Sequence, residues 1–170
     1  MISCENGWKN IWRSRTGIPL LLAALFFACP RTERNSRPPP DPGPPRVVIE
    51  TAAKEKVTVI VELAITPTQK QQGMMYRKEL AEDRGMLFLF AYTGNQTFWM
   101  RNTYLPLDII FIGEDLEIKG IVENAQPESE SILTIDKPCR YVLEVNGGFC
   151  QKFGVKTGDK VKLRGMETPS

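Results

Sequence analysis

A mainly β domain, a compact antiparallel sandwich or barrel carrying two or three short helices, is what this sequence predicts. Three observations carry that expectation. Short runs dense in β-branched and aromatic residues recur at close spacing, turn-forming stretches such as FAYTGNQTF and IGEDLEI separate them, and only two segments carry clear helix signals. The 170-residue length allows one domain, and residues 47 to 166 supply its foldable part.

The strand readings in chain order are Val57 to Leu63, Gly85 to Phe90, Thr97 to Arg101, Leu107 to Ile112, Leu116 to Val122, Arg140 to Val145 and Lys160 to Arg164. A helix opens at ITPTQKQQGMMYRKEL, where Thr66 caps, Pro67 takes the first helical position and Gln69 stands three residues after the cap. Gly73 falls inside this segment, at a cost of about 1 kcal/mol relative to alanine if the helix continues through it. A shorter helix is expected from Gly148 to Phe153, with Gly154 free to adopt the left-handed stop conformation.

The first 46 residues follow other rules. Lys9, Arg13 and Arg15 against Glu5 form a basic region ahead of the apolar run Ile18 to Ala28, which is too short to cross a bilayer as a helix and reads as a secretion signal over residues 1–28. The run ends in LFFAC, which resembles a lipobox with Cys29 as the lipidated residue; Phe26 departs from the usual aliphatic, and ordinary secretion is the rival reading. Residues 29–46 follow, and PRTERNSRPPPDPGPPR holds seven prolines and no aliphatic side chain, the composition of an extended tether. The expected location is therefore the periplasmic side of a membrane or cell envelope, with the membrane reached through the lipidated N-terminus.

The chain carries 22 basic and 20 acidic residues, and removal of residues 1–28 leaves 19 of each sign. No basic block remains to track a phosphate backbone, so no nucleic acid partner is expected. The absence of histidine removes imidazole acid/base chemistry and histidine metal sites, and no metal or cofactor is expected. Met74, Met75, Met86 and Met100 are read as core filling rather than copper ligands. Cys139 and Cys150 flank a strand long enough to hold them apart, and two buried thiols are favoured over a bridge.

Candidate site residues cluster in TFWMRNTYLPLDIIFI. Alternation places Leu107, Ile109 and Phe111 on one face and Asp108, Ile110 and Ile112 on the other, so a strand covered on both faces would bury the Asp108 carboxylate. Such a group must be hydrogen-bonded, paired or close to water. Either it pins the Asn102 to Pro106 loop, or it opens with Asn102 onto a pocket for a small ligand. Trp99 offers a plate for stacking, Arg101 a fork for an anion, and Arg77 a second cation from the first helix.

The stretches GMMYRKEL, RGMLFLF, FWMRNTYLPLDIIFI, YVLEV and GVKTGDKV resemble the family called domain of unknown function 192 over nearly the whole folded part. The resemblance implies a compact mainly β domain, often exported and lipoprotein-like, and leaves the activity open. It singles out Arg77, Asn102, Thr103 and Asp108 as polar positions that a fold alone explains least; Cys139 and Cys150 lie outside its pattern.

The function expected from these observations is that of a non-enzymatic, envelope-tethered domain that binds a small polar molecule or an envelope protein segment. Arg77, Trp99, Arg101, Asn102, Thr103 and Asp108 are its candidate ligand-binding residues. The alternatives are a small metal-independent hydrolase acting on an envelope component, in which Glu62, Glu123 or Glu144 could join Asp108 as a carboxylate pair, and a purely structural accessory domain.

Overall fold

Alternating apolar runs pair into one mixed sheet in the computed structural model, which describes residues 43–167. The segments expected to be a secretion signal and, up to residue 42, a tether, with Cys29, lie outside the described residues. The chain divides into two units, Met1–Arg37 and Pro38–Ser170, and every described residue belongs to the second.

The strands are β1 (Arg46–Glu50), β2 (Lys56–Ala64), β3 (Arg84–Gly94), β4 (Leu107–Ile112), β5 (Ile118–Ala125), β6 (Cys139–Asn146) and β7 (Lys160–Arg164), joined by two short helices, α1 (Pro67–Gln72) and α2 (Phe149–Phe153). Their order across the sheet is β5-β4-β6-β3-β2-β1-β7. All pairings are antiparallel except β2 with β3, where α1 and the turns after it carry the chain back to start the next strand in the same direction. The two ends of the sheet approach each other: the Ile118 amide donates to the Asp159 carbonyl at 3.0 Å, and the Val161 amide donates to the Leu116 carbonyl at 2.8 Å. The sheet is thus curled into a half-barrel, as the fold class predicts.

Because successive residues point to opposite faces, the curled sheet has two cores. The first draws on all seven strands, among them Ile49, Val59, Leu87, Ile110, Leu143 and Val161, and is plugged by Phe149 and Cys150 of α2. The second lies on the other face of β2 to β6, where Phe88, Ile109, Phe111 and Val142 are covered by Met74 and Met100 from the connections. Each fully buried Leu, Ile or Phe contributes about 1.5–3 kcal/mol. All six residues of β4 are buried, so both of its faces are covered.

Several expectations change. The stretch Thr97 to Arg101 is not a sheet strand: it makes one isolated bridge, Phe98 with Leu133, and lies over the second core with the Phe98 ring edge-on to Phe88 at 5.1 Å. Its aromatic content serves that cover rather than a ladder. The first helix stops at Gln72, because Gly73 turns to φ +47° and its amide returns to the Gln69 carbonyl at 2.9 Å. Gly73 is therefore the end of the helix and not a tolerated interior glycine. β1 was not among the expected strands; its five residues pair with β2 on one side and β7 on the other. Finally, β5 starts at Ile118 rather than Leu116, since Leu116 sits in the preceding turn with φ +56°.

β3 also runs past the expected Phe90 to Gly94, through part of the stretch read as a turn, while the capping signals hold. Thr66 and Gln69 form the reciprocal cap, Pro67 opens α1, and Gly154 closes α2 in the left-handed conformation. Cys139 and Cys150 are free, buried thiols. Burial pushes both thiols up, and the Asp108 carboxylate beside Cys150 adds to its shift.

Candidate functional site

The site begins with one residue of YVLEV. Tyr141, Leu143 and Val145 turn into the first core, so Val142 and Glu144 must face the other way. Register places Glu144 between Met86 of β3 and Ile109 of β4, two uncharged neighbours in the middle of a sheet. The residue is 4% exposed, and its Oε2 has no hydrogen-bond partner. Gly85 sets how tightly β3 closes on this position: a Cβ there would lie 2.5 Å from the Glu144 carbonyl oxygen. Desolvation pushes the Glu144 carboxyl up to about 8, against a smaller lowering by the nearby Arg77 charge. At neutral pH the group is accordingly a neutral acid, able to donate one hydrogen bond and accept another.

The cover leaves Glu144 at the wall of a cavity. On one side, α1 ends at Gly73, and a Cβ on that glycine would come within 3.8 Å of Glu144 Oε2. On the other side, Phe98 to Thr103 is strapped down by backbone hydrogen bonds from Met100 to Ser129 and from Glu128 to Thr103, at 2.9 and 3.0 Å. A third tie, from the Tyr76 amide to the Asn102 carbonyl at 2.8 Å, joins the two sides, with Tyr76 and Asn102 both at positive φ. Between them lies a pocket of about 260 Å³ whose lining includes Lys70, Gly73, Phe88, Phe98, Trp99, Thr103 and Glu144. The Lys70 ammonium stands 4.4 Å from the Phe90 ring centroid, and burial lowers its pKa.

The six predicted residues divide among four places. Trp99 and Thr103 line the Glu144 pocket. Trp99 also borders a shallower groove with Arg101, Asn102 and Tyr76, where the Arg101 guanidinium lies 5.8 Å from the Trp99 ring and 3.7 Å from Glu130. Arg77 is committed to Glu62 through two hydrogen bonds of 2.6 and 2.5 Å, which hold the Glu62 carboxyl below its ordinary range. Its charge reaches Glu144 without direct contact.

Asp108 is elsewhere. Its register partner is Val145, one residue on from Glu144, so it faces the opposite core. The carboxylate is fully buried; Oδ1 accepts the amides of Asn124 at 2.8 Å and Gly148 at 3.1 Å, and Oδ2 accepts that of Cys150 at 2.8 Å. Neither expectation for Asp108 is therefore met: it does not pin the Asn102 to Pro106 loop, and its oxygens are not presented with Asn102 to a ligand. Asp108 caps the start of α2 from across the sheet and pins the turn before it, because three amides outcompete an open cavity for a buried charge.

Sequence reasoning reached Glu144 only as one of three carboxylates to pair with Asp108. The signal was present in YVLEV, where a single acid interrupts an apolar strand as Asp108 interrupts β4. What distinguishes the two is the number of amides within reach, which sequence does not encode locally. Among the described residues no group of three or more His, Cys, Asp or Glu side chains could hold a metal ion.

Comparison with known proteins agrees with the fold. No curated protein matches the chain. A solved structure from Sinorhizobium meliloti 1021, whose name offers transcription regulation as a provisional role, is 46% identical and superposes with a TM-score of 0.69 over 72% of this chain and 95% of its own. A protein of unknown function from Novosphingobium aromaticivorans DSM 12444 is 41% identical, with a TM-score of 0.67 over 69% of this chain and 83% of its own. The profile of the family DUF192, described as Uncharacterized ACR, spans residues 47–163, and with the whole half-barrel inside or bordering that span the chain belongs to this family.

Proposed function

We propose that this protein is a non-enzymatic binding domain that holds a small polar molecule in the Glu144 pocket, and that the domain is tethered at the cell envelope through a lipidated Cys29. The observation that carries the binding reading is Glu144 itself: a nearly inaccessible acid, with one oxygen unpartnered, at the wall of a 260 Å³ pocket. A buried polar atom without a partner costs about 1–3 kcal/mol. Asp108, one strand away, displays the alternative that folding favours when a carboxylate serves only as a brace. A shifted acid in a concave, mainly apolar site is the physical mark of a place prepared for a guest.

Trp99 and Thr103 take part directly, while Arg77 acts at a distance on the charge of Glu144. Arg101 and Asn102 belong to the adjoining groove, which would meet any part of the ligand that extends past Trp99. The tethering reading rests on the basic leader, the apolar run, the LFFAC box and the proline-rich stretch. The balanced charge after residue 28 gives no footing for carrying over the regulator role named for the Sinorhizobium relative.

Thermal-shift screening of the purified full chain with small polar ring compounds tests the binding reading. A ligand at one hundred times its dissociation constant stabilises by about 2.7 kcal/mol. That gain is expected in the wild type and lost in Glu144→Leu. Absence of saturable stabilisation across the screen would refute it. Mass spectrometry of the mature N-terminus tests the tether, which is sunk by an unmodified cysteine or by cleavage elsewhere.

A further inference from the structure

We propose that the Glu144 pocket takes a single planar heterocycle presenting an adjacent N–H and C=O, with this amide edge paired to the Glu144 carboxyl and the ring lying against Phe88, Phe98 and Trp99. The inference rests on the reading of the pocket as a ligand site and names the chemical class of its ligand.

Three features narrow the class. The volume, about 260 Å³, falls just under the roughly 300–1,000 Å³ of drug-sized sites and suits one ring. The walls supply aromatic surface from Phe88, Phe98 and Trp99, with Trp99 45% exposed and so able to close on a guest. At the polar end, the unpartnered Oε2 sits in a carboxyl that burial keeps protonated at neutral pH. A neutral carboxylic acid offers a donor and an acceptor side by side, and the complementary group is an amide edge, whose carbonyl accepts the acid proton while its N–H donates to the other oxygen.

A cationic guest fits less well. It would share the pocket with the Lys70 ammonium and would require Glu144 to ionise in an apolar setting. The charged groups facing Glu144 are few. Arg77 acts on it through its charge but is held by Glu62, Lys70 comes from α1, the β3 and β4 neighbours are Met86 and Ile109, and the Phe98 side of the cover brings the hydroxyls of Thr97 and Thr103. Asp108 points into the opposite core.

The test is an amide-resonance NMR titration of the detergent-solubilised full chain with 2-pyridone, N-methyl-2-pyridone and benzamidine. The first carries the amide edge, the second lacks its N–H, and the third is a planar cation. Shifts at Gly73, Phe98 and Trp99 report the pocket. 2-Pyridone is expected to bind best, and to weaken about thirtyfold from pH 6.5 to 9.5 as Glu144 loses its proton. Glu144→Gln, which keeps a donor and an acceptor, retains binding within a few-fold and loses the pH dependence; Glu144→Leu abolishes binding. Tighter binding of benzamidine, rising with pH and lost in Glu144→Gln, overturns the proposed class while leaving the pocket a ligand site. Equal binding of the two pyridones does the same. If none of the three probes shifts these resonances at millimolar concentration, both readings fall.

Discussion

Replacing Glu144 by glutamine should remove a pH-dependent cost from the folded state. An ordinary glutamate ionises near 4.5, whereas burial holds the Glu144 proton up to about 8. Between these values the unfolded chain has released the proton and the folded chain retains it, so folding takes up a proton and stability falls as pH rises. The slope is about 1.4 kcal/mol per pH unit, giving a penalty of about 3 kcal/mol at pH 7 and about 5 kcal/mol once the pH exceeds 8. Against a net stability of roughly 5–15 kcal/mol, that is a large concession at one side chain. Urea unfolding of the wild type and Glu144→Gln from pH 5 to 9.5 measures it, because the difference between the two cancels every other titrating group. The gap in unfolding free energy should widen in favour of the glutamine variant from pH 5 to 8 and then level off. A gap constant across this range would show that Glu144 titrates normally, and would remove the physical basis of the site.

Two further perturbations separate the roles of the neighbouring polar residues. Arg77→Gln removes the charge that opposes the burial of Glu144, so the levelling-off in the same urea series should move to a pH above that of the wild type, and an unchanged position would mean that Arg77 does not act on the site. Asp108→Asn replaces a two-oxygen acceptor of three amides with a group that turns an N–H₂ toward at least one donor, which should cost about 3–5 kcal/mol by urea unfolding at pH 7 while leaving any ligand-induced shift of the surviving folded fraction intact. A loss under 1 kcal/mol would mean that the brace contributes little.

Local grammar determined much of this protein. The Thr66 cap with Pro67, Gly154 and the alternation of LDIIFI gave a helix start, a helix stop and a strand within a residue or two, because each depends on interactions spanning four residues or fewer. The same alternation foretold that Asp108 would be buried in apolar surroundings. Only the tertiary structure decided what became of the two buried acids. Asp108 found three amides because the start of α2 and the irregular end of β5 at Asn124 come together beside β4, while Glu144 found none because α1 ends short, at Gly73, and the Phe98 segment bridges over rather than joining the sheet. The reason is physical: a carboxylate's state is set by the donors and dielectric around it, and in a sheet those are supplied by strands and covers far away in sequence.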